Sequence, residues 1–211
     1  IGSQIGVGKE SDVYLACDAD GGEVCVKLHR LGRTSFRQLK NKATILVPDV
    51  TSTGSTLSAE REFAFLQALH SEGLPVPKPH GHNRHAVVME FVTNSSPLNS
   101  VSSDHPDAES LYLQCRAGLE RLAELGLVHG DYNEFNLLVQ EPSDEGPDGK
   151  PLVRIIDLPQ CISRRHPQAV EQYNRDAGCL VTFFLRKFEQ LRHGWLQERE
   201  PTRLSDISGM P

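Results

Sequence analysis

The stretch His129-Gly-Asp-Tyr-Asn-Glu-Phe-Asn136 leaves this chain little freedom. It is polar, sets a glycine beside an aspartate, and lies between two short apolar runs, Leu127-Val128 and Leu137-Leu-Val139. Such a sequence continues neither a helix nor a strand, so it predicts short strand, tight loop, short strand. The loop carries Asp131 and Asn136 close together. A carboxylate there can face an attacking hydroxyl while an amide oxygen reaches a metal ion on the other side of a phosphate group. A plain hairpin with capping Asp and Asn would leave the flanking elements as coincidence.

Those flanking elements change character along the chain. Residues 3–29 read as three short strands. Val13, Leu15 and Cys17 alternate with Asp12, Tyr14 and Ala16, and Val24, Val26 and Leu28 alternate with Cys25, Lys27 and His29. Gly21-Gly22 marks a turn between them. Residues 30–56 show no clear period. Ser58 is then a plausible N-cap, with Glu60 and Glu62 in the first helical turn, where the helix dipole favours acids. Phe63, Leu66 and Leu69 or His70 share a face of that helix, and Gly73 stops it. Residues 86–92 read as a buried strand, and 94–107 as a connector. A second helix is predicted over 108–125 and ends at Gly126. Residues 144–149 read as a hairpin turn before a return strand over 152–156. A last helix starts near Pro167 and carries Leu180, Phe183, Phe184 and Phe188. Strands with one helix, followed by a mostly helical half, predict an α+β chain of two lobes, 1–93 and 94–211, joined near Thr93.

Composition supports a globular domain. A chain of 211 residues can build a core without covalent staples. Its five cysteines are scattered at 17, 25, 115, 161 and 179 with no C-x-x-C, which argues against a disulfide framework or zinc ribbon and for a reducing compartment. The longest apolar stretch, 86–92, is interrupted by Glu90 and falls far short of the ~20 residues that span a bilayer, so no membrane partner is expected. No secretory signal is visible. The chain starts at Ile1 rather than Met and reads as an excised piece. Nothing demands an oligomer, and a monomer is expected. The net charge of −6 argues against wholesale nucleic-acid binding. Yet Lys27, Arg30, Arg33, Arg37, Lys40 and Lys42 follow one another with no acidic residue between Glu23 and Asp49, a segment able to neutralise RNA phosphates.

Three further motifs carry chemistry. Gly6-Val-Gly8-Lys9-Glu10-Ser11 lies between two strands, where glycines let backbone approach a phosphate. It is not a P-loop: Ser3 stands where that motif needs Gly, and Glu10 where it needs Ser or Thr. By itself it is equally a hairpin turn. Lys27 sits inside an apolar strand and needs an anionic partner, because burying a lone ammonium is costly. Glu62 is the natural candidate and Glu60 the alternative. Asp157 follows the apolar strand Ile155-Ile156, in the place where a kinase carries a metal-binding carboxylate.

In this order the motifs predict a bilobal protein-kinase-like fold, with a small β-rich lobe carrying one helix and a reduced, mainly helical second lobe. The chain further resembles the RIO atypical kinases, most closely the second subfamily, whose members carry a winged-helix domain absent here. The resemblance rests on Gly6-Val-Gly-Lys-Glu-Ser-Asp12, Lys27-Leu-His-Arg-Leu-Gly-Arg-Thr-Ser-Phe-Arg37, Pro75-Val-Pro-Lys-Pro79, Asn83-Arg-His-Ala-Val-Val-Met-Glu90, His129–Asn136 and Asp157-Leu-Pro-Gln160. It implies an ATP- and Mg2+-dependent serine/threonine kinase or ATPase acting in cytoplasmic maturation of the small (40S) ribosomal subunit, with the pre-40S particle, its rRNA and its proteins, as partner. On that resemblance Gly6, Gly8, Lys9 and Ser11 cover the phosphates and Lys27 pairs with Glu62. Met89 guards the adenine pocket, and Glu90 and Val92 supply hinge contacts. Asp131 is the catalytic base, Asn136 and Asp157 bind metal, and Asp157 is the site of a transient aspartyl phosphate. Two departures stand out. Residues 43–56 replace the family's basic, aromatic segment, and Leu158 replaces a phenylalanine. The last helix also follows Asp157 closely, leaving little of the activation segment that docks peptides in ordinary kinases. Two other readings compete: a small-molecule phosphotransferase of the aminoglycoside or choline kinase type, and a non-enzymatic RNA-binding assembly factor.

Overall fold

The structure is a computed structural model and describes residues 2–8, 11–30, 54–142, 149–191 and 195–208. The chain divides into two compact units, Ile1–Val92 and Thr93–Pro211.

The first unit is an antiparallel sheet with one helix. Its strands are β1 (Gln4–Val7), β2 (Ser11–Cys17), β3 (Glu23–His29), β4 (Pro79–Asn83) and β5 (Ala86–Glu90), in the order β1-β2-β3-β5-β4. Gly21, at φ +85°, makes the turn between β2 and β3. Only a glycine adopts that angle without strain. β3 is the middle strand and places Lys27 between Val13 of β2 and Val87 of β5. Helix α1 (Gly54–Ser71) starts earlier than the Ser58 cap predicts, because no proline stands between Gly54 and Ser58 to oppose another turn. Its buried stripe is Ala59, Glu62, Phe65, Leu66 and Leu69. His70 is exposed, and half-buried Phe63 lies against the His82 ring at 4.6 Å. Gly73 ends the turn at φ +76° as predicted.

The second unit contains β6 (Ser95–Pro97), α2 (Ala108–Glu124), β7 (Leu127–Val128), β8 (Leu137–Gln140), β9 (Leu152–Ile155), β10 (Ile162–Ser163) and α3 (Ala169–Lys187). β6, β8 and β9 form one small sheet, and β10 pairs with β7. β6 lies in the predicted connector. Ser-Ser-Pro carries no alternation, and its proline is tolerated because the strand is at a sheet edge. α2 buries Leu111, Tyr112, Cys115, Leu119 and Leu122, and α3 buries Tyr173, Leu180 and Phe184. Tyr112 packs edge-on against Phe184 and Trp195, at 5.2 and 5.8 Å. The predicted hairpin turn at 144–149, except Gly149, and all of the basic run beyond Arg30 lie outside the described residues. Among the described residues no helix is long and apolar enough to cross a membrane.

Candidate active site

In the first unit, the β1–β2 turn is held by Gly8 N–H donating to Ser11 O at 2.8 Å. A Cβ on Gly8 would come 3.1 Å from that same carbonyl, so the close approach, rather than an unusual φ, calls for glycine. Gly6 faces Val13 across the β1–β2 ladder, and Ser11 is buried at the start of β2. Lys9 lies outside the described residues. Just beyond, Arg30 grips Asp12 through two hydrogen bonds of 2.6 and 2.9 Å, which hold the Asp12 carboxyl below its ordinary range.

Lys27 is buried and donates to Glu62 Oε1 at 2.6 Å. The structure therefore selects Glu62 over Glu60. The two are separated by about 200° around the helix, and Glu62 is the one in the buried stripe. His29 joins them: its Nε2 lies 2.8 Å from Glu62 Oε2. The sequence reading passed over His29, although strand alternation puts it on the same face as Lys27. Met89 is buried opposite Cys25 on β3, and burial pushes the Cys25 thiol up to about 11. Glu90 closes β5: its N–H donates to Lys78 O at 2.8 Å while its Oε2 accepts from Lys78 N–H at 2.9 Å. Val92 is buried at the end of this unit.

In the second unit, the loop between β7 and β8 is held from below by a residue that sequence reasoning missed. Asp176 is the one acid in the buried stripe of α3, 1% exposed. Its Oδ2 accepts from Gly130 N–H at 2.7 Å and its Oδ1 from Tyr132 N–H at 3.2 Å. An acid in an otherwise apolar helical face was the available signal. Gly130 is at φ +80°, and its carbonyl accepts from Arg175. Tyr132 is buried, its hydroxyl donating to Cys115 O at 2.7 Å. His129 is fully buried and donates through Nε2 to Ile156 O at 3.2 Å.

With its neighbours pinned, Asp131 points outward and is exposed. Asn133 Nδ2 donates to Asp131 Oδ1 at 2.9 Å, and Asn136 Nδ2 donates to Asp131 Oδ2 at 3.0 Å and to Asp131 O at 2.9 Å. The Asn136 amide nitrogen is thus committed to Asp131, which turns its Oδ1 the other way as an oxygen donor. Asp157 lies at the same end of the β8–β9 ladder. Leu137 pairs with Ile155, Ile156 N–H donates to Asn136 O at 3.0 Å, and Asp157 follows. Its backbone is left-handed (φ 65°, ψ 63°), unusual for a non-glycine residue and costing about 1 kcal/mol or more. Leu158 is buried at the start of the next turn, filling its slot as an apolar residue must.

A carboxylate and an amide oxygen are the hard donors Mg2+ prefers, so Asp157 and Asn136 suit that ion. Among the described residues no group of three or more His, Cys, Asp or Glu side chains is arranged to hold a metal alone. Mg2+ here would draw further oxygens from a phosphate ligand and water.

An antiparallel sheet with a buried Lys–Glu pair, together with a helical unit presenting an Asp–Asn loop, defines a protein-kinase-like fold. The RIO domain model matches residues 12–194, and the chain belongs to that family. Its relatives include Rio2 kinases. It is 43% identical over 90% of its length to the serine/threonine-protein kinase rio2 of Schizosaccharomyces pombe, and spans 53% of that protein. The crystal structure of the Rio2 kinase from Chaetomium thermophilum matches 89% of this chain and 57% of that one, at 44% identity and a TM-score of 0.73. The same kinase in an ADP/Mg2+-phosphoaspartate complex matches 99% of this chain and 62% of that one, at 40% identity and a TM-score of 0.72. The chain thus spans little more than half the length of these relatives.

Proposed function

We propose that this chain binds ATP with Mg2+ and acts as an atypical serine/threonine kinase or ATPase. The observation that carries the reading is the likeness, over 99% of this chain, to a kinase captured with ADP, Mg2+ and a phosphoaspartate. The residues fit that chemistry. Lys27, aligned by Glu62, would hold the nucleotide's phosphates, and Gly6, Gly8 and Ser11 would cover them. Mg2+ held by Asn136 and Asp157 would neutralise charge on the phosphates. Asp131, exposed and held by hydrogen bonds from Asn133 and Asn136, would accept a proton from an attacking hydroxyl.

For the phosphoaspartate, a bond forms between an Asp157 carboxylate oxygen and the γ-phosphorus. The bond from that phosphorus to the bridging oxygen breaks, and ADP leaves with the electron pair. Water then releases inorganic phosphate and restores the carboxylate. Membership of the RIO family speaks against a small-molecule phosphotransferase. The test is γ-phosphate release from Mg-ATP by the chain and by Asp131→Ala and Asp157→Ala. Both variants should lose at least about two orders of magnitude, and a hydroxylamine-labile label should form on the parent and not on Asp157→Ala. Undiminished turnover in both would overturn the assignment.

We further propose that the chain acts in the cytoplasm on the precursor of the small ribosomal subunit. Support comes from the family resemblance and from the basic residues 27–42. Co-sedimentation with that precursor checks it.

A further inference from the structure

Glu62 has two oxygens and Lys27 takes one. A carboxylate held at a single oxygen can pivot about its terminal torsion, which is broad and two-fold. The other oxygen, Oε2, faces His29 Nε2 at 2.8 Å. That distance is within ion-pair range, yet the pair lies off the axis of an aligned hydrogen bond, and among the described residues neither atom has another hydrogen-bond partner. A donor and an acceptor buried together without alternatives satisfy each other. The His29 side chain is 5% exposed and that of Glu62 2%.

We propose that His29 is a positioning residue, holding Oε2 of Glu62 so that Oε1 stays on Lys27. The backbone is built for it. Lys27 and His29 are alternate residues of β3 and project to one face. His29 pairs with Ser11 of β2, and its N–H donates to His85 O at 2.7 Å, one step beyond the last β3–β5 pair, Leu28 with Ala86. The next residue, Arg30, is tied to Asp12. His29 is therefore pinned on both sides, and the Lys27–Glu62 pair becomes a three-group clamp. The role can act on nucleotide affinity only if the kinase reading above holds, but its effect on Lys27 does not depend on nucleotide.

The test compares His29→Gln, which keeps a nitrogen donor near Nε2, with His29→Phe, which keeps the ring and loses the donor. His29→Leu repeats the second case at smaller volume should the phenylalanine variant not fold. Acylation of Lys27 by an amine-directed reagent, without nucleotide, is followed by mass spectrometry. Labelling should be several-fold faster in His29→Phe or His29→Leu and near the parent rate in His29→Gln, with Mg-ATP affinity falling and recovering in parallel. Equal labelling of the parent and the donor-less variants, or a glutamine variant worse than phenylalanine, as a packing role alone would give, overturns the proposal. Failure of the parent itself to bind Mg-ATP would sink the kinase reading, while the labelling comparison would still decide the role of His29.

Discussion

Asp176 and His129 carry the β7–β8 loop on two buried ionisable groups of opposite tendency. Burial pushes the Asp176 carboxyl above its ordinary range, against the hydrogen bonds from Gly130 and Tyr132 that pull it down. Burial pushes the His129 imidazole below its ordinary value, against the attraction of Asp176. A depressed folded-state value means that the fold accommodates the neutral ring. The stability that His129 contributes is present above about pH 6.5, its unfolded value, and is lost as pH falls through the lower folded value. Denaturant unfolding should therefore show stability falling between about pH 7 and 5 more steeply in the parent than in His129→Gln. Equal slopes would mean that His129 is solvated. Asp176 has the reverse sign: a raised value costs stability as pH climbs from the carboxylate range.

Among the elements, α2 and the β7–β8 loop depend on one close approach. A Cβ on Gly118 would lie 2.9 Å from both Tyr132 Oη and Ile155 Cδ1. Both side chains belong to the core, 1% exposed, so a shift of either disturbs buried packing. Alanine in place of glycine favours the helix by about 1 kcal/mol, whereas overpacking a core costs about 1–3 kcal/mol. Gly118→Ala should therefore lose about 1 kcal/mol, and the Tyr132–Cys115 hydrogen bond should be displaced. A variant more stable than the parent in chemical denaturation would refute this balance. β3 teaches a related lesson. Its alternation was plain in the sequence, but the face holding Lys27 and His29 is buried because Glu62 lies over it.

For the whole molecule, a net charge of −6 conceals a division of labour. Of the six cations from Lys27 to Lys42, two are committed within the fold: Lys27 to Glu62 and Arg30 to Asp12. Arg33, Arg37, Lys40 and Lys42 lie outside the described residues and are the cations that the RNA proposal invokes. Reversing Arg33 and Arg37 to glutamate should weaken co-sedimentation with the small-subunit precursor. It should also lower the slope of log affinity against log salt by about 1.4, two contacts at ~0.7 each. Binding that is unchanged in strength and salt dependence would overturn the proposed RNA contact.

Local chemistry was legible in order and spacing. The glycine turns at Gly21 and Gly73, the α2 and α3 stripes and the strand–loop–strand around Asp131 all follow from near-neighbour patterns that a single chain displays, and the quoted motifs carried the resemblance to the RIO family. The edge strand β6 and the roles of His29 and Asp176 did not follow from such patterns. Each depends on what lies across space. A serine run becomes a strand when β8 offers it a ladder, a histidine becomes a clamp when a helix brings Glu62 to it, and an aspartate in an apolar stripe makes sense once two backbone N–H groups meet it. Turns and periodicity are set within a few bonds of each residue. Partners for buried polar groups are chosen by packing, which only the folded chain decides.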